Sequence, residues 1–283
     1  MIKAIELNFN EQNSILLNLE YKNIDENKLY GKHLLFLPKM NQSASPKKRH
    51  QTKNGGGDNE KPSYSIAFLG IDGSGKTTII NRVTPLLKEV YPDSVYYEHL
   101  RPNCIPTLAR LLGKKGALDE TDINPHVKKQ SGLLGSIFRF GYYFMDYTLG
   151  YYLKILPKKA FHSCVWIFDR YYYEYLIDPR RTRISLPKWV FKAGLLLIPE
   201  PDLIICLGTI PKIIHSRKPE MNVEEITRQM IELSNFCKRH KNAVWVDTSC
   251  RIEHSVDKTM EVIYEKMGIP FDLKKHDGSL MFE

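Results

Sequence analysis

Residues 67–78 read AFLGIDGSGKTT, an apolar run that gives way to Gly70, Gly73 and Gly75 and then to Lys76, Thr77 and Thr78. Packing a buried strand calls for none of these. The segment Gly70-Ile71-Asp72-Gly73-Ser74-Gly75-Lys76-Thr77 fits G-x-x-x-x-G-K-[ST], a spacing whose chemistry is the cradling of phosphate oxygens. The glycines let successive backbone N–H groups converge on an anion. A helix beginning at Lys76 adds its positive dipole end, Lys76 reaches the outer phosphates, and the Thr77 hydroxyl can ligate Mg²⁺. With Gly near 7% of residues, a chance match in a chain this long is on the order of one in a hundred, before its context is counted.

A second chemically competent group follows the apolar run VWIF, where Asp169 and Arg170 open the segment DRYYY. An acid at the carboxyl end of a strand beside the phosphate-loop strand is placed to meet Mg²⁺ or its water shell. Loops at the carboxyl ends of parallel strands are also where ligands bind, so Arg101, with His99, is a candidate contact for a second substrate; an ordinary surface pair is the alternative. Arg180, Arg181 and Arg183 could build an anion site or form a solvated, salt-bridged loop. Phe140, Phe144, Tyr147 and Tyr151 recur at helical spacing, which reads first as core packing and second as a stacking face for a base or sugar. His215 reads as a helix-surface histidine, and Asp247 as shaping a nucleobase loop or forming a turn. The sequence contains no N-K-x-D segment, which argues against a switch GTPase.

The elements that must position these groups alternate along the chain. Strand-like runs at 65–70, 94–99, 164–169, 202–208 and 243–248 are separated by helical patterns at about 76–90, 131–156, 186–197, 222–240 and 253–267. Short β-branched runs alternating with helices predict an α/β domain, a parallel sheet covered on both faces.

Bulk composition limits the alternatives. At 283 residues, 42% hydrophobic and 26% charged, the chain can bury a substantial core and is neither disordered nor fibrous. Its five cysteines are scattered and never spaced as Cys-x-x-Cys, which argues against a disulfide framework or zinc site and for a reducing compartment. The first residues carry charge early and lack an unbroken apolar stretch, so no secretory signal is expected; the most apolar windows are broken by charges, so no membrane span is expected. Part of the net charge of +9 sits in residues 45–63, SPKKRHQTKNGGGDNEKPS, a composition that reads as a solvated linker rather than a nucleic-acid arm. The expected organisation is a short N-terminal appendage at 1–40, a flexible basic linker at 41–62, the main domain at 63–270 and a polar tail at 271–283.

From residue 64 to 267 the chain resembles the thymidylate kinase family of nucleoside monophosphate kinases. The phosphate loop with Asp72, the segment EHLRPN at 98–103, the stretch FMDYTLGYYLKILP at 144–157, Asp-Arg-Tyr at 169–171 and PKIIHSRK at 211–218 fall in the family's order. The resemblance implies a three-layer P-loop NTPase fold with a five-stranded parallel sheet of order 2-3-1-4-5. It implies ATP as donor held by Gly70, Asp72, Gly73, Ser74, Gly75, Lys76, Thr77 and Thr78, with Mg²⁺ on Thr77 and Asp169. On the acceptor side, Asp72 would contact the sugar and Arg170 the phosphate, Arg101 would contribute from its loop, and Arg217 would close over the transferring group from a lid. Catalysis would then fall to Lys76, Asp169, Arg170 and Arg217.

The departures lie on the acceptor side. Tyr147 follows Asp146 where the family has Arg, and YYEYLIDPRRTR follows Asp-Arg-Tyr without the family's Ser and Ala-Tyr-Gln segment. The variant is similar to thymidylate kinase-like proteins tied to bacterial surface-polysaccharide synthesis. Three readings follow: a kinase of (deoxy)nucleoside monophosphates, a kinase of a sugar or glycan intermediate, and a nucleotide-dependent binding protein without transfer activity. Expected partners are a nucleotide donor and a small phosphorylated acceptor, with no stable nucleic-acid partner. Pairing of two copies is left open, and the expected compartment is cytoplasmic.

Overall fold

A computed structural model of the protein describes residues 61–105, 132–179, 181 and 184–270. The readings of 1–40 as an appendage and of 271–283 as a tail, most of the linker, and Arg180 and Arg183 lie outside the described residues. Five parallel strands form one sheet: β1 (Tyr64–Gly70), β2 (Val95–His99), β3 (Val165–Asp169), β4 (Leu203–Gly208) and β5 (Ala243–Asp247), in the order β2-β3-β1-β4-β5. This is the α/β architecture and sheet order of P-loop kinases. Each strand that sequence patterning predicts is present within a residue or so of its expected bounds.

Burial on both faces explains why these strands read as continuous apolar runs rather than alternating ones. On one face Ala67, Leu69, Trp166, Phe168, Ile204 and Cys206 pack with aromatic side chains from the connecting helices. On the other, Ile66, Phe68, Val165, Ile167, Leu203, Ile205 and Leu207 meet Ile79, Val83 and Leu87 of helix α1 (Lys76–Val90) and Val256, Met260 and Ile263 of a C-terminal helix, Ile252–Met267. The two-sided sheet is the platform; the loops at the carboxyl ends of its strands carry the candidate site residues.

The long helical pattern after β2 departs from the expected uniform helix. It comprises α2 (Leu133–Gly150), a π-helical stretch at Tyr151–Ile155 and α3 (Leu156–Phe161). Pro157, one residue past the expected span, lacks an N–H and would crowd the carbonyl of the preceding turn; the wider π turn just before it removes that conflict. Two short helices had no periodic signal because they are too brief to show one: α4 (Glu174–Ile177), and, after α5 (Lys188–Gly194), α6 (Pro211–Arg217), which starts on its proline. Then follow α7 (Val223–Arg239), capped by the Asn222 side chain, and α8 (Ile252–Met267). Among the described residues no helix is long and apolar enough to cross a membrane. All five cysteines are free.

Gly150, at the end of α2, shows how closely this helix approaches the loop after β2: a Cβ there would lie 2.3 Å from Cβ of buried Pro102. Helix propensity favours Ala over Gly by about 1 kcal/mol, whereas overpacking a site costs about 1–3 kcal/mol. A rigid proline ring cannot yield, so the clash wins. Gly150→Ala is expected to destabilise the protein by up to about 2 kcal/mol, read as a lower denaturant midpoint, and an unchanged or raised midpoint would contradict the close contact.

Candidate active site

Between β1 and α1 the chain makes a loop whose backbone is turned by glycines. Gly73 has φ 88° and Gly75 has φ 89°, a region where a side chain would be strained. Gly70 answers to sterics rather than to dihedral freedom, since a Cβ there would lie 2.5 Å from Ser74 Oγ and 2.7 Å from the Leu207 carbonyl oxygen. Within the loop Ser74 N–H donates to the Ile71 carbonyl at 3.0 Å. Lys76 is buried and lies across the loop, its Nζ donating to the carbonyls of Gly70 at 2.5 Å and Ile71 at 3.1 Å. Thr77 and Thr78 are exposed in the first turn of α1, and Ser74 Oγ is buried without a partner.

β3 delivers the second set of groups. Its register pairs Phe68 with Asp169, and Arg170 N–H donates to the Phe68 carbonyl at 2.9 Å. Arg170 sits at φ 74°, rare for a side-chain-bearing residue and a form of strain found at functional sites. Its guanidinium turns toward the phosphate loop: Nη2 is ion-paired with Asp72, and Nη1 donates to Glu174 at 3.0 Å. Arg181 Nη1 reaches the other oxygen of Asp72 at 2.5 Å. Asp169 is buried; one of its oxygens accepts from Tyr97 at 3.1 Å and lies 3.3 Å from His99 Nδ1, while Oδ1 has no partner.

The electrostatics follow from burial and neighbours together. Burial opposes ionisation of Asp72, yet Arg170, Lys76 and Arg181 hold its carboxyl well below the usual carboxylate range. Asp169 is likewise opposed by burial and held below its ordinary value by His99, Lys76 and Arg170. Arg170, against its own burial, is kept firmly charged by Glu174, Asp72 and Asp169. Lys76 goes the other way: burial, reinforced by Arg170, pushes its ammonium down to about 8 despite the nearby carboxylates.

Asp72, Lys76, Asp169 and Arg170 thus come together around one loop. Arg217 is exposed at the end of α6, where Nη2 donates to the Thr248 carbonyl at 2.8 Å beyond β5. Arg101 is 1% exposed, with Nη1 donating to Tyr142 OH at 2.9 Å and to Asp146 at 3.1 Å, and its guanidinium packs over the Tyr142 and Tyr143 rings. Asp146 also accepts from the N–H groups of Asn103 and Ile105, so the pair ties the loop after β2 to α2. His215 bonds the Met221 carbonyl, and Asp247 accepts from Ser249 in a side-chain turn. The aromatic series packs ring on ring: Phe140 meets Phe191, and Tyr147 meets Tyr171, Tyr172 and Tyr175.

Sequence reasoning missed Tyr97 and Glu174. A signal existed for both. Tyr97 alternates with His99 along β2, and β2 pairs in register with β3, while Glu174 stands four residues after Arg170, one helical turn on. No cluster of histidine, cysteine or acidic residues able to hold a metal by itself occurs among the described residues.

No family model matches the chain, and no curated protein matches it. Among solved structures it is similar to a thymidylate kinase from Ehrlichia chaffeensis, at 17% identity and a TM-score of 0.49, over 71% of this chain and 99% of that one. The fold assignment rests on this chain's own sheet order and glycine loop.

Lys76 ties the site to pH. Its folded value of about 8 lies below the ordinary 10.5, so the folded protein binds fewer protons than the unfolded one between those limits, and this residue's contribution to stability rises with pH through that window. A triphosphate needs the charged ammonium. Binding of an ATP analogue, titrated calorimetrically over roughly pH 7.5–9.5, is expected to be flat at first and to weaken by up to about tenfold per unit above the value of about 8 that Lys76 has in the unliganded protein. Lys76→Arg should remove the break, and a pH-independent affinity in the unaltered protein would contradict the assignment.

Proposed function

We propose that this protein is an ATP-dependent phosphotransferase of the nucleoside monophosphate kinase type. The observation that carries the reading is the ion pair between Asp72 of the phosphate loop and Arg170 at the end of β3, which makes the donor cradle and the acceptor-side arginine one contiguous site. The backbone N–H groups around Gly73, Ser74 and Gly75, with the N-terminus of α1 and Lys76, bind the phosphate tail of ATP. Arg170 receives the acceptor phosphate. An ionised oxygen of that phosphate attacks the γ-phosphorus in line, the bond from γ-phosphorus to the β,γ-bridging oxygen breaks, and ADP leaves. No general base is required, because the attacking oxygen carries no proton to remove.

The residues present fit a magnesium ion. Asp169 Oδ1 is buried and unpartnered, and the Thr77 hydroxyl is exposed at the head of α1, so these two would hold the ion directly or through water. When bound, it would neutralise charge on the β- and γ-phosphate oxygens. Arg217, in this reading, closes over the transferring group by leaving the Thr248 carbonyl. Arg101 acts at one remove, by holding the loop after β2 on Asp146.

A second reading, a kinase of a phosphorylated sugar or glycan intermediate, is favoured by one observation. Phe140, Phe144 and Tyr151 pack against the core and Tyr147 lies within it, engaged with other rings rather than offering a face to a nucleobase.

A coupled ADP-release assay against a panel of nucleoside monophosphates and sugar phosphates distinguishes the acceptors. Turnover with at least one is expected, and Lys76→Ala should lower kcat by about 10²- to 10³-fold, the usual loss when one donor to a developing anion is removed. Arg170→Ala should raise KM for the acceptor more than for ATP. Tight ATP binding with no transfer to any member of the panel would defeat the enzymatic reading.

A further inference from the structure

Two arginines from different segments converge on the Asp72 carboxylate. Arg170, at the end of β3, takes Oδ1; Arg181, from the segment DPRR beyond α4, takes Oδ2 at 2.5 Å. Their side chains are 5% and 21% exposed, and that of Asp72 is 10% exposed. An arginine commonly grips a carboxylate with two parallel bonds of its own. Here each guanidinium gives Asp72 one bond only. Arg170 is fixed from the far side by Glu174, and its Nε is buried with no partner. Arg181 is turned back toward the loop by its N–H bond to the Asp178 carbonyl at 3.3 Å. Gly70, Ile71, Asp72, Arg170, Arg181 and Gln229 line a crevice along the phosphate loop.

A forked guanidinium suits phosphate oxygens as well as carboxylate oxygens. A carboxylate offers two of them; a phosphate monoester offers three, enough for both forks and for the unpartnered Nε of Arg170. We propose that Arg181 is a second phosphate-recognising arginine of the acceptor site, and that Asp72 keeps both guanidiniums in position until an incoming phosphate takes its place between them. This rests on the phosphorylated-acceptor reading above. It gives Arg181 a role in ligand recognition, and it makes Asp72 a competitor of the acceptor phosphate as well as a neighbour of the donor. Glu174 remains paired with Arg170 throughout, so the guanidinium pivots rather than leaves.

The test uses the full chain with Mg²⁺ and a non-hydrolysable ATP analogue filling the donor loop, and inorganic phosphate as the probe, titrated calorimetrically. Arg181→Gln is expected to weaken phosphate binding by about 10- to 100-fold, the range for losing hydrogen bonds to a charged group. Arg181→Lys, which keeps a charge for Asp72 and so the local fold, should fall between the two because a point charge lacks the fork. Asp72→Asn should tighten phosphate binding by about tenfold, since the displaced group no longer carries a charge. A purely structural Arg181 would leave phosphate binding unchanged in the Arg181 variants. Unchanged binding in Arg181→Gln, with loss in Arg170→Gln, overturns the role of Arg181 and leaves the phosphorylated-acceptor reading standing. Weaker binding in Asp72→Asn overturns the displacement. The absence of saturable phosphate binding in the unaltered protein overturns both the proposal and the reading beneath it.

Discussion

The pairing register of β1 with β3 is the constraint from which the site follows. Phe68 opposite Asp169 sets the two strand ends level, and the bond from Arg170 N–H to the Phe68 carbonyl carries the pairing one residue past β3. A slip of one residue would turn every side chain of β3 to the other face of the sheet. Trp166 and Phe168 would then point toward α1 and α8, where Val165 and Ile167 now fit against small aliphatic neighbours. Core packing therefore protects the register, and the register places Asp169 and Arg170 beside the glycine loop. The strained φ of Arg170 is maintained by the same means, since its backbone is held by β1 and its side chain by Asp72 and Glu174.

Charge is buried here at several points, and always with partners. Removing an ion from water costs several kcal/mol, which a partner repays only with good geometry and further hydrogen bonds. Arg101 and Asp146 meet that condition: the carboxylate also takes two backbone N–H groups, and the guanidinium lies over two tyrosine rings. Such a pair adds little net stability relative to an apolar replacement, but it fixes one arrangement of the loop after β2, because any other leaves a buried charge alone. The Asp72–Arg170–Glu174 set differs in being incomplete. Arg170, Asp169 and Ser74 each keep an unpartnered buried atom beside the phosphate loop, where a bound ligand could satisfy it.

Much of this was legible in the sequence, for identifiable reasons. The five strands could be read because strands buried on both faces are continuous apolar runs, and the glycine loop because its backbone conformation excludes other residues. What could not be read depends on contacts distant along the chain. Arg101 sits at a strand tip, where exposure is the ordinary expectation; its burial requires Asp146 and Tyr142, which come from α2. Arg217 finds a backbone carbonyl at Thr248, a partner that any residue type could supply, so composition carries no trace of it. The aromatic series, by contrast, packs as its helical spacing implied, while the π turn at Tyr151–Ile155 was not read from the sequence, although Pro157 just beyond it offered the signal.

The unequal legibility of the two halves has a physical origin. A phosphate tail is bound by backbone N–H groups and a helix terminus, so the donor half makes few demands on side chains beyond glycines, one lysine and one hydroxyl, and those demands are the same for any triphosphate. In the proposed function the acceptor side is assembled from Asp72 of the glycine loop, Arg170 at the end of β3, Glu174 of α4 and Arg181. Each of these side chains can change while the sheet beneath stays fixed, since strand pairing here uses the backbone, the Arg170 N–H included. The departures from the thymidylate kinase pattern read in the sequence, at Tyr147 and in the YYEYLIDPRRTR segment, fall outside the glycine loop, which keeps its spacing. On that reading a change of acceptor would alter those positions first, while the β1–β3 register would keep the glycine loop and the end of β3 side by side.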